Sequence, residues 1–231
     1  MRILVINPNT CKEMTKHIEL ELRKIKRPDV ELDVVNLERG PYTIESFYDV
    51  SIAVPEMLKI VEEANKKNYD AIVIACFADP GIDAARQLSK IPVIGIQETS
   101  MHIASMLGHK FSVITPLRHL IPTKERYAKI IGLKDKLASV RSLDIPIIEI
   151  EQRPEKTKSR ILEVAKEAIE RDGAEVIILG CAGMTGYAKE LEKELKIPVI
   201  DPITVSLKIA EVIVDLGLTH SKIGIYKQPI T

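Results

Sequence analysis

The chain has 231 residues, and its 33 Lys and Arg are balanced by 33 Asp and Glu, giving a formal charge of zero. That length buries a substantial core, in one large domain or two small ones. Balanced charge offers no basic face for nucleic acid or an anionic membrane, so neither is expected as a partner. The longest apolar runs are strand-sized, far short of a bilayer span. The start, Met1-Arg2-Ile3-Leu4-Val5-Ile6, is too short for a signal peptide, and a cytoplasmic protein is expected. Its three cysteines, an odd number, read there as free thiols rather than a disulfide framework.

Strand and helix patterns alternate along the chain, which predicts an α/β fold on a mostly parallel sheet. A strand over 2–6 leads through the turn Asn7-Pro8-Asn9-Thr10 into a helix over about 11–26, with Met14, Ile18, Leu22 and Ile25 on one stripe. Thr10 and Glu13 have the spacing of a capping box. A strand at 31–36 follows, then a loop with Gly40-Pro41. A helix over about 53–67 places Val54, Met57, Leu58, Val61 and Ala64 inward. The apolar run Ala71 to Ala75 ends at Cys76, and Asp79-Pro80 beyond it reads as an N-cap and first helical residue.

The chain then repeats itself. Tyr69 to Cys76 parallels Gly173 to Cys181, and the two cysteines are 105 residues apart. Ile91-Pro92-Val93-Ile94 parallels Ile197-Pro198-Val199-Ile200 at 106, and Val5-Ile6-Asn7-Pro8 parallels Val113-Ile114-Thr115-Pro116 at 108. Three landmarks at nearly constant spacing predict two similar α/β lobes. The first takes 1–97 plus 205–231 and the second 98–204. Helices over about 98–107 and 203–216, stopped by Gly108 and Gly217, are expected to cross between them. A last strand at 222–226 would rejoin the first lobe. Ligands of open parallel sheets bind beyond the carboxyl ends of strands, and that rule gathers Asn7, Cys76, Thr115 and Cys181 around one expected cleft between the lobes.

A thiolate is favoured near a helix N-terminus. Cys76 lies about three residues before an expected helix, and Cys181 precedes the loop Ala182-Gly183-Met184-Thr185-Gly186 before a helix over about 187–195. An isolated cysteine at a strand end is more often a small buried apolar residue. Two at equivalent positions of a repeat point to chemistry, since two opposed thiols are able to remove a proton from one face of a carbon and return one to the other. Cys11, three residues before Met14 on the helix stripe, reads as core. Asn7 and Asn9 offer side-chain amides to a polar ligand, or simply form the turn beside Pro8. No histidine stands beside Cys76 or Cys181, and the five histidines show no metal-ligand spacing. His102, inside an apolar helix pattern, reads as a core or interface residue. No glycine-rich dinucleotide or phosphate motif follows a strand.

At these residues the sequence resembles the aspartate/glutamate racemase superfamily, and within it the hydantoin and allantoin racemases. The resemblance is carried by Ile6-Asn7-Pro8-Asn9-Thr10, Gly40-Pro41 with Ile44-Glu45-Ser46, Cys76-Phe77 with Asp79-Pro80-Gly81, Gly180-Cys181-Ala182-Gly183-Met184, and Ser221-Lys222 with Tyr226 and Pro229. It implies two three-layer α/β lobes, each on a parallel four-stranded sheet, with the active site in the cleft. It also implies a cofactor-independent, metal-free, two-base racemase working as a homo-oligomer on a small hydantoin-like ring. Cys76 and Cys181 match the two catalytic thiols. Asn7, Phe77, Ala78, Asp79, Thr115, Ala182, Gly183 and Met184 match the ligand-holding loops, and Asn9 joins them as a candidate through its side-chain amide.

Two departures narrow the expectation. Glutamate racemases carry Asn-Thr after the first cysteine and Thr-His after the second, where this chain has Phe77-Ala78 and Ala182-Gly183. The polar groups that hold a free amino acid are therefore missing. Many hydantoin racemases have Gly in place of Ala78, so the pocket is expected to be tighter. The competing readings are another superfamily reaction, such as amino-acid racemisation, maleate isomerisation or decarboxylation, and a non-catalytic small-molecule binder on the same scaffold. Fold does not separate these; the site does.

Overall fold

The computed structural model describes residues 1–229. Two compact units divide the chain, one formed by Met1–Ile96 with the segment from Ser206 onward, the other by Gln97–Val205. Each is an α/β unit on a four-stranded parallel sheet.

In the first unit the elements are β1 (Arg2–Asn7), α1 (Lys12–Ile25), β2 (Glu31–Asn36), α2 (Phe47–Ala64), β3 (Ala71–Ile74), α3 (Ile82–Leu88) and β4 (Val93–Gly95). The strand order is β2-β1-β3-β4. The chain divides within the next helix, α4 (Ile96–Leu107). The second unit continues with β5 (Phe111–Thr115), α5 (Ile121–Ile130), β6 (Leu137–Ser142), α6 (Ile147–Gln152), α7 (Pro154–Asp172), β7 (Val176–Leu179), α8 (Ala188–Leu195) and β8 (Val199–Ile200), and its order is β6-β5-β7-β8. The division back falls within α9 (Pro202–Asp215). The two sheets thus share one topology.

Burial explains the strands. β3 and β7 read Ala-Ile-Val-Ile and Val-Ile-Ile-Leu, and every residue in them is buried, as expected of central strands covered on both faces. The edge strands β2 and β6 are mostly half-exposed. Met14, Ile18 and Leu22 seat α1. Ala53, Met57, Val61 and Ala64 seat α2 on a core that includes Leu4, Ile6, Ile72 and Ile74. At about 25 cal/mol per Å² of apolar area, such faces supply most of the stabilisation.

Several expectations are corrected. The capping box at α1 does not form. Cys11 takes the N-cap position with no capping bond from its side chain, and Cys11 N–H donates to Asn9 Oδ1 at 2.9 Å. Thr10 turns away, its N–H and hydroxyl both donating to Pro41 O. Glu13 instead accepts from the Cys11 thiol at 3.6 Å and from Tyr42 at 3.3 Å, so Cys11 is buried as expected but not purely apolar.

Helix α2 starts six residues earlier than its apolar stripe suggests, because Ser46 caps it by accepting from Asp49 N–H at 3.1 Å. Helix α3 begins at Ile82 rather than beside Asp79, since Asp79 and Gly81 adopt left-handed φ of 41° and 62° and close a turn first. His102 is exposed rather than core.

No strand forms at 222–226. Side chains hold that segment in place of a ladder. Lys222 Nζ donates to Arg86 O and to Ser89 O at 2.7 Å, the end of α3. Gln87 Nε2 donates to Ile225 O at 2.8 Å, and Val93 N–H on the edge strand donates to His220 Nε2 at 2.8 Å. Ile223 and Ile225 stay exposed.

Candidate active site

Each sheet has its topological switch between its first strand and the third, the pairs β1–β3 and β5–β7. The register pairs Ile6 with Ile74 and Ile114 with Leu179. Asn7 and Thr115 therefore end the strands next to those that deliver Cys76 and Cys181. Ala75 N–H extends the first ladder to Ile6 O at 2.8 Å, and Gly180 N–H extends the second to Ile114 O at 2.7 Å. Gly180 has to be glycine for that approach, because a Cβ there would lie 2.7 Å from Ile114 O. Within each lobe, the strand ends bring one cysteine beside one polar residue, where ligands of such sheets bind.

None of Cys11, Cys76 and Cys181 is in a disulfide. Cys76 is half-buried and Cys181 buried. Cys76 opens a turn in which Asp79 N–H donates to Cys76 O at 3.0 Å. Cys181 opens a single 3₁₀ turn, Ala182–Met184, in which Met184 N–H donates to Cys181 O, also at 3.0 Å. The Cys181 segment is thus a compact buried turn rather than a flexible loop. Both cysteines share one local design, a thiol at the mouth of a turn hydrogen-bonded back to its own carbonyl. Helix α3 starts six residues after Cys76, not three.

The predicted binding residues fall into three groups. Asn7 is fully buried, and its Nδ2 donates to Asn9 Oδ1 at 2.9 Å and to Thr15 Oγ1 at 3.0 Å. The Asn9 amide is spent on this network and on the start of α1. Phe77 and Asp79 are each only 3% exposed, so Phe77 packs into its lobe, and Ala78 between them is partly open. Ala182, Gly183 and Met184 are buried in the second turn.

Two atoms stand out. Asn7 Oδ1 and Thr115 Oγ1 are buried with no hydrogen-bond partner. Buried polar oxygens are nearly always paired, and these two occupy matching positions of the repeat beside the two cysteines.

Asp201, directly after β8, was not picked out from sequence. Its Oδ2 accepts from Thr185 Oγ1 at 2.7 Å and Gly186 N–H at 2.9 Å, and its Oδ1 from Ile203 N–H and Thr204 N–H at 3.1 and 3.2 Å. Burial pushes its carboxyl up while these four hydrogen bonds pull the other way. The signal available in sequence was Asp201-Pro202, an N-cap followed by a proline at the first helical position. Among the described residues no group of three or more His, Cys, Asp or Glu is placed to hold a metal ion, and no helix is long and apolar enough to cross a membrane.

Comparison with known proteins identifies the family of the chain. Residues 3–210 match the family model described as Asp/Glu/Hydantoin racemase. The chain is 41% identical over 229 residues to the hydantoin racemase of Pseudomonas sp. (strain NS671), covering 99% of this chain and 92% of that protein. It is 36% identical over 230 residues to the hydantoin racemase of Paenarthrobacter aurescens, covering 99% and 98%. Among solved structures, the allantoin racemase from Klebsiella pneumoniae superposes with a TM-score of 0.96 at 35% identity, over 100% of this chain and 94% of that one.

Proposed function

This chain belongs to the Asp/Glu/hydantoin racemase family of isomerases, and we propose that it interconverts the D and L forms of 5-substituted hydantoins, allantoin included, with Cys76 and Cys181 as its two bases. One thiolate takes the proton from ring carbon 5, leaving an enolate-like anion delocalised into the adjacent carbonyl. The other thiol gives its proton to the opposite face and becomes the thiolate. Net charge is conserved and the pair is left in the reverse protonation state, ready for the other enantiomer. Because the thiols titrate as a pair, the resting charge belongs to both.

The observation that carries the reading is the repetition of one design at both strand ends: a thiol, a self-closed turn, and beside it a buried oxygen lacking a partner, Asn7 Oδ1 in one lobe and Thr115 Oγ1 in the other. A flat ring with N–H donors and carbonyl acceptors suits such oxygens. The Asp79 and Met184 N–H groups close the two turns, and the backbone N–H groups of Ala78 and Gly183 within them stabilise charge on the ring carbonyl in the manner of an oxyanion hole. Asn9 serves by fixing Asn7. The enzyme works in the cytoplasm, where its thiols stay reduced, as a homo-oligomer, with no cofactor.

The test is optical. L-5-benzylhydantoin, D-5-benzylhydantoin and allantoin are followed by circular dichroism with enzyme and no added cofactor, beside a buffer control that measures spontaneous racemisation. Acceleration over buffer on at least one ring supports the reading. No acceleration on any of the three overturns it.

A further inference from the structure

One buried carboxylate lies behind each cysteine turn, and the two lobes supply it from opposite directions. In the second lobe it comes from the end of the last strand. Asp201 ties Thr185 and Gly186, at the far end of the Cys181 turn, to the first N–H groups of α9. In the first lobe the position 106 residues earlier is Gly95, which has no side chain to give. There the carboxylate comes from the turn itself. Asp79 is 3% exposed and lays its carboxylate over Gly95, where an added Cβ would meet Asp79 Cγ at 2.5 Å. The residue of the second turn matching Asp79 at 105 is Met184, which carries no charge. Each lobe thus brings one carboxylate to the same place, between the cysteine turn and the end of its last strand.

The cost of the arrangement in the first lobe argues that it matters. Asp79 has φ of 41°, a left-handed backbone that a non-glycine residue adopts at a cost. Its N–H closes the turn on Cys76 O, and its own carbonyl accepts Ile82 N–H at 3.2 Å, so one residue fixes both ends of the segment from Cys76 to α3.

We propose that Asp201 and Asp79 are positioning residues of the racemisation, each setting the geometry of the cysteine in its own lobe. This rests on the two-thiol reading. A carboxylate accepts on both oxygens, whereas an amide of the same shape accepts on one and presents N–H donors on the other. Asp201→Asn must therefore give up either the Thr185 and Gly186 bonds or the Ile203 and Thr204 bonds. Displacing a reacting group by about 1 Å costs about 100-fold in rate, so kcat/KM should fall about 10- to 100-fold. It falls equally for both enantiomers, because their equilibrium constant is one.

The decisive readout is the primary deuterium isotope effect on kcat/KM, measured in each direction with L- and D-5-benzylhydantoin labelled at carbon 5. Each enantiomer gives its proton to a different thiol. Misplacing Cys181 makes its proton transfer more rate-limiting, so in Asp201→Asn the isotope effect rises for one enantiomer and falls for the other. Asp79→Asn, whose amide side chain tolerates the left-handed backbone, shifts the two effects in the opposite sense. A merely structural role moves both enantiomers alike. If Asp201→Asn fails to fold, Thr185→Val removes one donor to the same oxygen and should show the same asymmetry, with Thr185→Ser restoring wild-type values.

Equal shifts for both enantiomers, or the same sense in both aspartate variants, overturn the inference. Cys76→Ser and Cys181→Ser are assayed alongside. If both are inactive while the aspartate variants show no asymmetry, the positioning role alone falls. If either cysteine variant racemises at the wild-type rate, the two-thiol reading falls and this inference with it.

Discussion

The side-chain amide of Asn7 donates to Oδ1 of Asn9 at 2.9 Å, and the same oxygen receives the N–H of Cys11 at 2.9 Å. Asn9 thereby caps the first helix from two residues ahead and holds Asn7, whose Oδ1 is buried without a partner. The turn Asn7-Pro8-Asn9-Thr10 is thus a folding device and a candidate binding element at once.

That relationship makes Asn9→Ala a stability variant first. Losing one cap and one of the two bonds that the Asn7 amide makes to side chains should cost about 1–3 kcal/mol, read as a lower urea midpoint at unchanged slope. A shift below about 0.5 kcal/mol would mean that the network contributes little.

Gly180→Ala tests the approach of the Cys181 strand end to its neighbour. The added methyl would meet Ile114 O at 2.7 Å and Val113 Cγ1 at 2.8 Å, and the first of these is backbone that does not move cheaply. Overpacking of this kind costs about 1–3 kcal/mol. Thermal unfolding should show that loss, together with a fall in racemisation as Cys181 is displaced.

Tyr69→Phe tests a polar cluster remote from the cysteines. Tyr69 OH donates to Asp33 Oδ2 at 2.7 Å, and Arg2 Nη2 donates to the same oxygen at 2.7 Å. Burial, then the bond to Asp33, pushes the Tyr69 phenol up to about 12 from 10.0. A raised folded-state value means that its contribution is complete below pH 10 and is lost as pH rises towards 12. Removing the hydroxyl should cost about 1 kcal/mol at neutral pH. The difference between wild type and variant should shrink between pH 10 and 12, as followed by urea titrations across that range.

Much of this was visible in the sequence because apolar runs and turn chemistry agreed. β2 matches its expected limits, α1 differs by a residue at each end, and the repeat between Cys76 and Cys181 pointed to two sheets of one topology. The losses have local causes. Asn9 outcompeted Thr10 for the first helix because its carbonyl reaches the Cys11 N–H from the turn. The tail carries alternating isoleucines at 223 and 225 that look like strand, yet both face outward and Lys222 does the anchoring.

Helix α7 was passed over although Ile161, Val164, Ala165 and Ala168 mark its buried face at helical spacing. Asp79 is among the expected binding residues and Asp201 is not, and the pairing of their carboxylates stays hidden in the sequence for another reason. Their equivalence depends on a glycine making room in one lobe, which no periodicity reveals.

The most direct test of the two-base account is proton NMR in heavy water with L- and D-5-benzylhydantoin, using wild type, Cys76→Ser and Cys181→Ser. The account predicts that wild type exchanges the carbon-5 proton of both enantiomers with loss of optical activity. Each single variant should lose racemisation by several orders of magnitude, with any residual exchange confined to one enantiomer and to opposite enantiomers in the two variants. Racemisation at the wild-type rate by either variant would contradict it.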